Sequence, residues 1–299
     1  MKNNSVTPTP CEEIKVIYSG EYEDTDEICT LSVPEGIEEI GENAFRDFLS
    51  VKTVNLPKSL KVISSAAFSG CKNLERVNMQ YGIEEIRDEA FSSCPMLKEV
   101  IIPDSCKRIG EGAFEGCASL TRLKLSESVA MIGASAFAFC FNLTTLTIPD
   151  SCILVEFCAF SSCFSLESVK LSANMGLIDE STFEGCRSLT HLELPKKLIK
   201  VGRRAFKGCS SLTEVALPVG THSIGFDAFA DCSSVKRIAL PKSIAELEDM
   251  EVFGGCDSLT DIVYLGSKDE FEHLTRGKAI TVQHSDMTVS TPRISFMEG

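Results

Sequence analysis

The chain is 299 residues long, 43% hydrophobic and 24% charged, with a formal net charge of −14. That composition belongs to a protein that buries a core, and the acidity argues against nucleic acid as a partner, because phosphate binding needs clustered Lys and Arg. No run approaches the ~18 consecutive apolar residues of a membrane span, so membrane insertion is not expected.

At the start of the chain, Met1 to Pro8 shows no apolar segment of the kind a secretory leader carries. A native N-terminus of this kind implies a cytoplasmic protein, and a trimmed one a cell-surface or secreted protein. Both locations stay open. Residues 1–50 hold twelve acidic and three basic side chains, a solvated end that serves solubility. Residues 1–30 are expected to form an N-terminal tail and cap, with an atypical first rung over residues 11–33 that ends in Leu31-Ser32-Val33-Pro34.

From residue 31 to residue 265 one pattern governs the chain. Phenylalanine recurs at Phe45, Phe68, Phe91, Phe114, Phe137, Phe160, Phe183, Phe206, Phe229 and Phe253, in steps of 23 residues with a last step of 24. Cysteine follows three residues later, from Cys71 to Cys256, with Phe48 at the first position. Leucine comes three residues further on, from Leu74 to Leu259, with Val51 and Val235 substituting. Such periodicity means a repeat architecture of about ten units.

Each unit begins with a stretch such as Leu74-Glu75-Arg76-Val77-Asn78-Met79, which alternates apolar and polar residues as a strand with one buried face does. Pro57, Pro103, Pro149, Pro195, Pro218 and Pro241 end that strand, since proline cannot donate to a ladder. A second short extended piece leads into an aliphatic column that runs from Ile40 through Ile132 and Ile178 to Leu247. The Gly-x-x-Ala-Phe segment is expected to turn the chain as one helical or 3₁₀ turn. A unit this short cannot bury its apolar side chains alone; stacking converts each column into a shared interior stripe.

Residues 266–299 are expected to be a C-terminal cap and tail. Ser267-Lys268-Asp269-Glu270 matches a helix capping box, with Phe271 and Leu274 on one apolar face and Gly277 as the stop. Ala279 to Val282 is expected to add a final strand, and the chain to fray from about Ser285.

The unit Ala-Phe-x-Gly-Cys-x-Ser-Leu-x-x-Val-x-Leu-Pro resembles the BspA-like class of leucine-rich repeats, over residues 31–265 without a gap. The resemblance implies a leucine-rich-repeat solenoid: a right-handed curved superhelix of short parallel strands with helical or 3₁₀ turns, rich in β structure. It also implies a surface protein that binds host or microbial macromolecules, although a fold does not fix a function.

Eleven of the fourteen cysteines occupy ladder positions, nine in the 23-residue column and Cys106 and Cys152 among Ile37, Leu60, Ile83 and Val129. A small apolar thiol fills space there. In-register stacking points neighbouring thiols the same way, so disulfides are not expected, and no Cys-x-x-Cys pair offers a metal site. Cys158 aligns with Ala66, Glu89, Ser135 and Arg204 and is expected to be exposed.

Of four histidines, His191 falls on the polar side of its strand with Ser168 and Glu214 one rung away on either side. No strained elbow or oxyanion loop accompanies this trio, and polar residues on a solvated sheet give such coincidences. No phosphate loop, zinc signature or calcium loop occurs. Pro103-Asp104-Ser105 and Pro149-Asp150-Ser151 read as turns in which Asp and Ser bond their own backbone. No catalytic residue, cofactor or metal is therefore expected.

Binding in a solenoid falls to positions the core does not use. One candidate is the polar sheet face, with Arg76, Glu99, Arg122, Lys124, Lys170, His191, Glu193, Glu214 and Arg237. The sharper one is an apolar band. Residues 129–164 hold only two charges, Asp150 and Glu156, and at variable positions this stretch places Met131, Phe139, Phe141, Ile153, Leu154, Phe157 and Phe164, joined by Leu177. Stacked over three rungs, these side chains are expected to form an exposed association surface. The alternative is that Phe139 and Phe141 tuck back against Phe164 as extra core. The leading reading is a non-enzymatic binding scaffold, adhesin-like, with a protein or glycan partner. The alternative is a cytoplasmic, self-associating structural scaffold, with a homodimer through the apolar band.

Overall fold

The computed structural model describes residues 16–18, 20, 29–248 and 252–297. They form a parallel-strand β-solenoid of about ten turns. Each full turn up to Glu214–Ala216 contributes a three-residue strand, such as Thr53–Asn55, and a two-residue strand, such as Val62–Ile63; the first strand lengthens to five residues at Arg237–Pro241 and Asp261–Leu265. Neighbouring rungs pair in parallel and in the register of the repeat: Thr53 faces Arg76, and Val62 faces Glu85. The stack starts before the phenylalanine column, because Val16–Ile17 already pairs with Glu39–Ile40. Residues 1–15 and 21–28, with Cys11 and much of the acidic end, lie outside the described residues.

The ten repeated phenylalanines are buried. From Phe45 to Phe229 successive rings stack with centroids 5.1–5.7 Å apart and planes within 1–12° of parallel. The extra residue before Phe253 opens that join to 6.3 Å and tilts the rings by 31°. Offset aromatic pairs of this kind contribute about 0.5–1.5 kcal/mol each beyond area burial.

The cysteine column does more than fill space. Each thiol, from Cys71 to Cys256, donates to the main-chain carbonyl of the phenylalanine one rung earlier, at 3.2–3.5 Å. Alanine cannot make this bond. Burial pushes the Cys117 and Cys163 thiols up to about 12, so they stay neutral and unreactive. All the described cysteines are free thiols.

Helical character in the turns is minor. Over the Gly-x-x-Ala-Phe segment, alternate N–H groups reach across to the next rung: Asn43 to the Ser65 carbonyl at 3.1 Å, Phe45 to Ala67 at 2.8 Å and Asp47 to Ser69 at 2.8 Å. The intervening groups close tight local turns. This third ladder works only if two residues per segment adopt the left-handed conformation. The second of these positions holds Asp47, Gly70, Ser93, Gly116, Phe139, Ser162, Gly185, Gly208, Asp231 and Gly255. Glycine in the Phe-x-Gly-Cys motif is thereby explained.

The Pro-Asp-Ser turns also differ from expectation. Asp104 accepts the Glu127 N–H at 3.0 Å and Asp150 the Ala173 N–H at 2.8 Å, both on the following rung. Ser105 and Ser151 donate to Ile83 and Val129 on the preceding one. The adjacent rung, about 4.8 Å away, offers these short side chains better partners than their own backbone.

The ladders are not continuous everywhere. The three-residue strands lose their sheet pairing after Arg122–Lys124 and again after His191–Glu193. The two-residue strands lose theirs between Leu154–Val155 and Leu177–Ile178. Ile153 N–H bonds Ala130 at 3.1 Å on one side of that seam, and Ile199 N–H bonds Gly176 at 2.7 Å on the other.

At the C-terminal end, the capping box forms as expected. Ser267 caps the helix Lys268–Thr275, Phe271 is buried, and Arg276 ends it in the left-handed conformation before Gly277. The strand expected over Ala279–Val282 starts only at Val282, as Val282–Gln283, and pairs antiparallel with Val289–Ser290. The frayed tail is not observed: Arg293–Phe296 adds in parallel to Asp261–Leu265, with Arg293 Nε bonded to Asp261 at 2.7 Å. An uncovered last rung would expose both core and strand edge, which is why these residues order there.

The seam gives a direct expectation. In hydrogen–deuterium exchange, the Gly176 and Leu177 amides should exchange about fivefold faster than those of Ile199 and Lys200, since a hydrogen bond is worth about 1 kcal/mol. Equal protection would show that the ladder is closed.

Candidate functional site

The polar sheet face forms as a row of in-register side chains. Thr145, Ser168 and His191 align, as do Thr147, Lys170 and Glu193. Arg76, Arg122, Lys124, Lys170, His191, Glu193, Glu214 and Arg237 are exposed, and Glu99 is half-buried. Towards the N-terminal end the row is internally satisfied: Arg122 pairs with Glu99, and the Asn78 amide bonds Asn55, which bonds Ser32. His191 lies beside Ser168, but no hydrogen bond joins it to Ser168 or to Glu214, and the ladder breaks between His191 and Glu214. The Ser-His-Glu trio is not assembled.

The apolar band divides into two groups. Phe141 and Phe164 are half-buried and stack at 4.9 Å, with Phe139 meeting Phe141 edge-on at 6.1 Å and the Arg187 guanidinium 4.6 Å over Phe164. Met131 faces Leu154 in register, and Leu177 follows one rung on, beyond the seam. Ile153 and Phe157 flank this second group and are 67% and 50% exposed. Ile199 extends it: 58% exposed, it lies so that a Cβ on Gly176 would sit 3.9 Å from its Cδ1. The signal for Ile199 was available, because it aligns with Ile153 two repeats earlier, where other units carry Lys61, Glu84 and Lys107.

Phe139 stands apart. It is 43% exposed and holds φ +61°, at the position where the other rungs carry Gly, Ser or Asp. A bulky side chain in the left-handed region costs about 1–2 kcal/mol. Cys158, expected to be exposed, is half-buried and also left-handed, at φ +56°.

One cluster escaped sequence reasoning because two of its three residues, His284 and Ser290, lie outside the repeat. His284 Nε2 is 2.6 Å from Ser290 Oγ, and its Nδ1 is 3.4 Å from Asp257. Composition suggests an acyl-transfer triad, yet the geometry is that of a clasp. Asp257 is committed to Ser285, accepting its N–H at 3.0 Å and its hydroxyl at 2.7 Å. The adjoining depression of about 290 Å³ is walled by Lys207, Asp231, Gly255, His284 and Met287 among others, but not by Ser290. The chain Asp257–His284–Ser290 instead pins the terminal hairpin to the last rung.

Bonds from the Ser285 side chain and backbone, and then His284, hold the Asp257 carboxyl below its usual range. A depressed carboxylate contributes stability above its unfolded pKa and loses it as pH falls through the folded value. The hairpin should therefore release from the body on acidification below about pH 4, and Asp257→Asn should remove that acid-sensitive step. Ser290 should stay unlabelled by a fluorophosphonate probe; labelling that depends on His284 would mean a working nucleophile.

Among the described residues, no group of three His, Cys, Asp or Glu side chains is placed to hold a metal ion, and no helix is long and apolar enough to cross a membrane. No curated protein matches the chain. Among solved structures, a leucine-rich repeat protein from Bacteroides ovatus is 22% identical, with 95% of this chain and 87% of that one covered and a TM-score of 0.48. A leucine-rich repeat protein of T. pallidum is 29% identical over 62% of this chain and 78% of its own, at 0.47. A pneumococcal vaccine antigen is 18% identical over 96% and 93%, at 0.46. The model of the BspA type leucine rich repeat region matches in six copies, over residues 6–120, 85–210 and 176–274. The chain belongs to the BspA type leucine-rich repeat family.

Proposed function

We propose that this protein is a non-enzymatic binding scaffold, adhesin-like in its mode of action, which engages a protein partner through the apolar residues of rungs 131–199. The leucine-rich repeat fold generally mediates protein binding. The observation that carries the assignment to this surface is Phe139. Ten rungs share its left-handed position, and at this one the residue bears backbone strain while its ring, which meets Phe141 edge-on, stays 43% exposed. On the same rungs, Ile153, Leu154 and Phe157 are exposed within residues 129–164, which hold only two charges, and Leu177 and Ile199 are exposed on the rungs that follow. Exposed aromatic and aliphatic anchors of this kind form the centres of protein interfaces. Stacking of Phe141 on Phe164 gives the aromatic group a fixed shape, which lowers the ordering cost of binding.

Phe139→Gly should raise stability in chemical denaturation by about 1 kcal/mol and weaken partner capture. Ile153→Glu with Leu154→Glu should leave the melting curve within the wild-type range and abolish capture by a photo-crosslinker placed at Phe157. Unchanged capture by both variants would overturn the assignment.

A further inference from the structure

We propose that the open edge of the last described strand, Arg293–Phe296, pairs antiparallel with the same strand of a second copy, joining two solenoids end to end. This surface is separate from the apolar residues of rungs 131–199 and independent of their role. The strand's inner edge is occupied: Arg293 N–H donates to the Thr260 carbonyl at 2.8 Å and Met297 N–H to Tyr264 at 3.0 Å. Alternation along a parallel ladder then turns the main-chain groups of Ile294 and Phe296 outward, where no described residue meets them.

Natural edge strands are protected by lysine, proline, a bulge or a covering element. None of these is present within Arg293–Met297, and its one charge is drawn back into the ion pair with Asp261. Phe296 and Met297 are exposed, as are Met287 and Val289 on the neighbouring hairpin.

Two features select a second copy as the occupant. First, the edge is self-complementary. With a two-fold axis through Ser295, Ile294 of each chain faces Phe296 of the other, and their outward groups can exchange four hydrogen bonds while the apolar side chains cover each other. Second, the charge is distributed to permit it. Residues 29–50, on the first described rungs, hold five acidic side chains and one basic, whereas residues 252–297 hold six and four. Joining the C-terminal ends keeps these first acidic rungs of the two copies far apart, which limits self-repulsion.

In light scattering at micromolar concentrations, the full chain should show twice its 32.6 kDa mass. Ile294→Pro removes one outward donor and spares the inner bonds, so it should return the mass to that of the monomer. Ser295→Cys should form an interchain disulfide on mild oxidation, because residues facing each other across such an axis have Cα atoms about 4.5 Å apart. Wild type treated identically controls for Cys29 and Cys158. Leu154→Glu should leave the dimer intact. A monomeric wild type would overturn the proposal, as would a dimer that Ser295→Cys does not cross-link or that Leu154→Glu abolishes.

Discussion

A rung of this solenoid is too short to satisfy its own backbone or bury its own side chains, so nearly every stabilising contact is made with the rung before or after it. The phenylalanine rings stack between rungs, the cysteine thiols donate to the carbonyls of the previous rung, and the turn segments bond to the next. Each of these contacts works only when equivalent atoms are offset by one whole repeat. Register is therefore the constraint from which the rest follows. Where the step lengthens to 24 residues, before Phe253, the ring stack tilts, and the terminal cap begins soon after.

Register also explains which residues are free for other work. The core columns, the main chain of the left-handed positions and the Asp and Ser side chains of the turns are all committed to neighbouring rungs. Of the two charges between residues 129 and 164, Asp150 bonds Ala173 N–H and Glu156 bonds Ala134 N–H at 3.1 Å. Little polar chemistry is left on that stretch of surface. What remains is apolar, and the main-chain seam between Val155 and Leu177 runs beneath it. The seam loosens one of three ladders while the other two hold, so the surface has some give without losing its frame.

Much of the fold could be read from the sequence because repetition averages over rungs. Ten aligned phenylalanines leave no doubt about a column, and two strands per repeat follow from alternation and proline placement. The turn segment Gly-x-x-Ala-Phe has helix-like spacing; its left-handed residues show only in aggregate, as Gly, Ser and Asp sharing one position. The thiol hydrogen bond was hidden for a related reason, since a buried cysteine looks like a space-filler when its acceptor is 26 residues away. Features that occur once were the hardest: the terminal strand at Arg293 and the clasp at His284 have no repeat to reinforce them. The apolar candidates were legible as composition, but their division into an aromatic and an aliphatic group depends on which corner of the rung each residue occupies.

The most direct test of register is to excise one whole repeat. Deleting residues 77–99 joins Arg76 to Val100 and leaves every column intact. Deleting residues 77–98 removes one residue fewer and shifts all downstream columns by one position. The first variant should unfold cooperatively near the wild-type midpoint and scatter as a rod about 4.8 Å shorter; the second should lose cooperative unfolding. Equal behaviour of the two, folded or unfolded, would contradict the account.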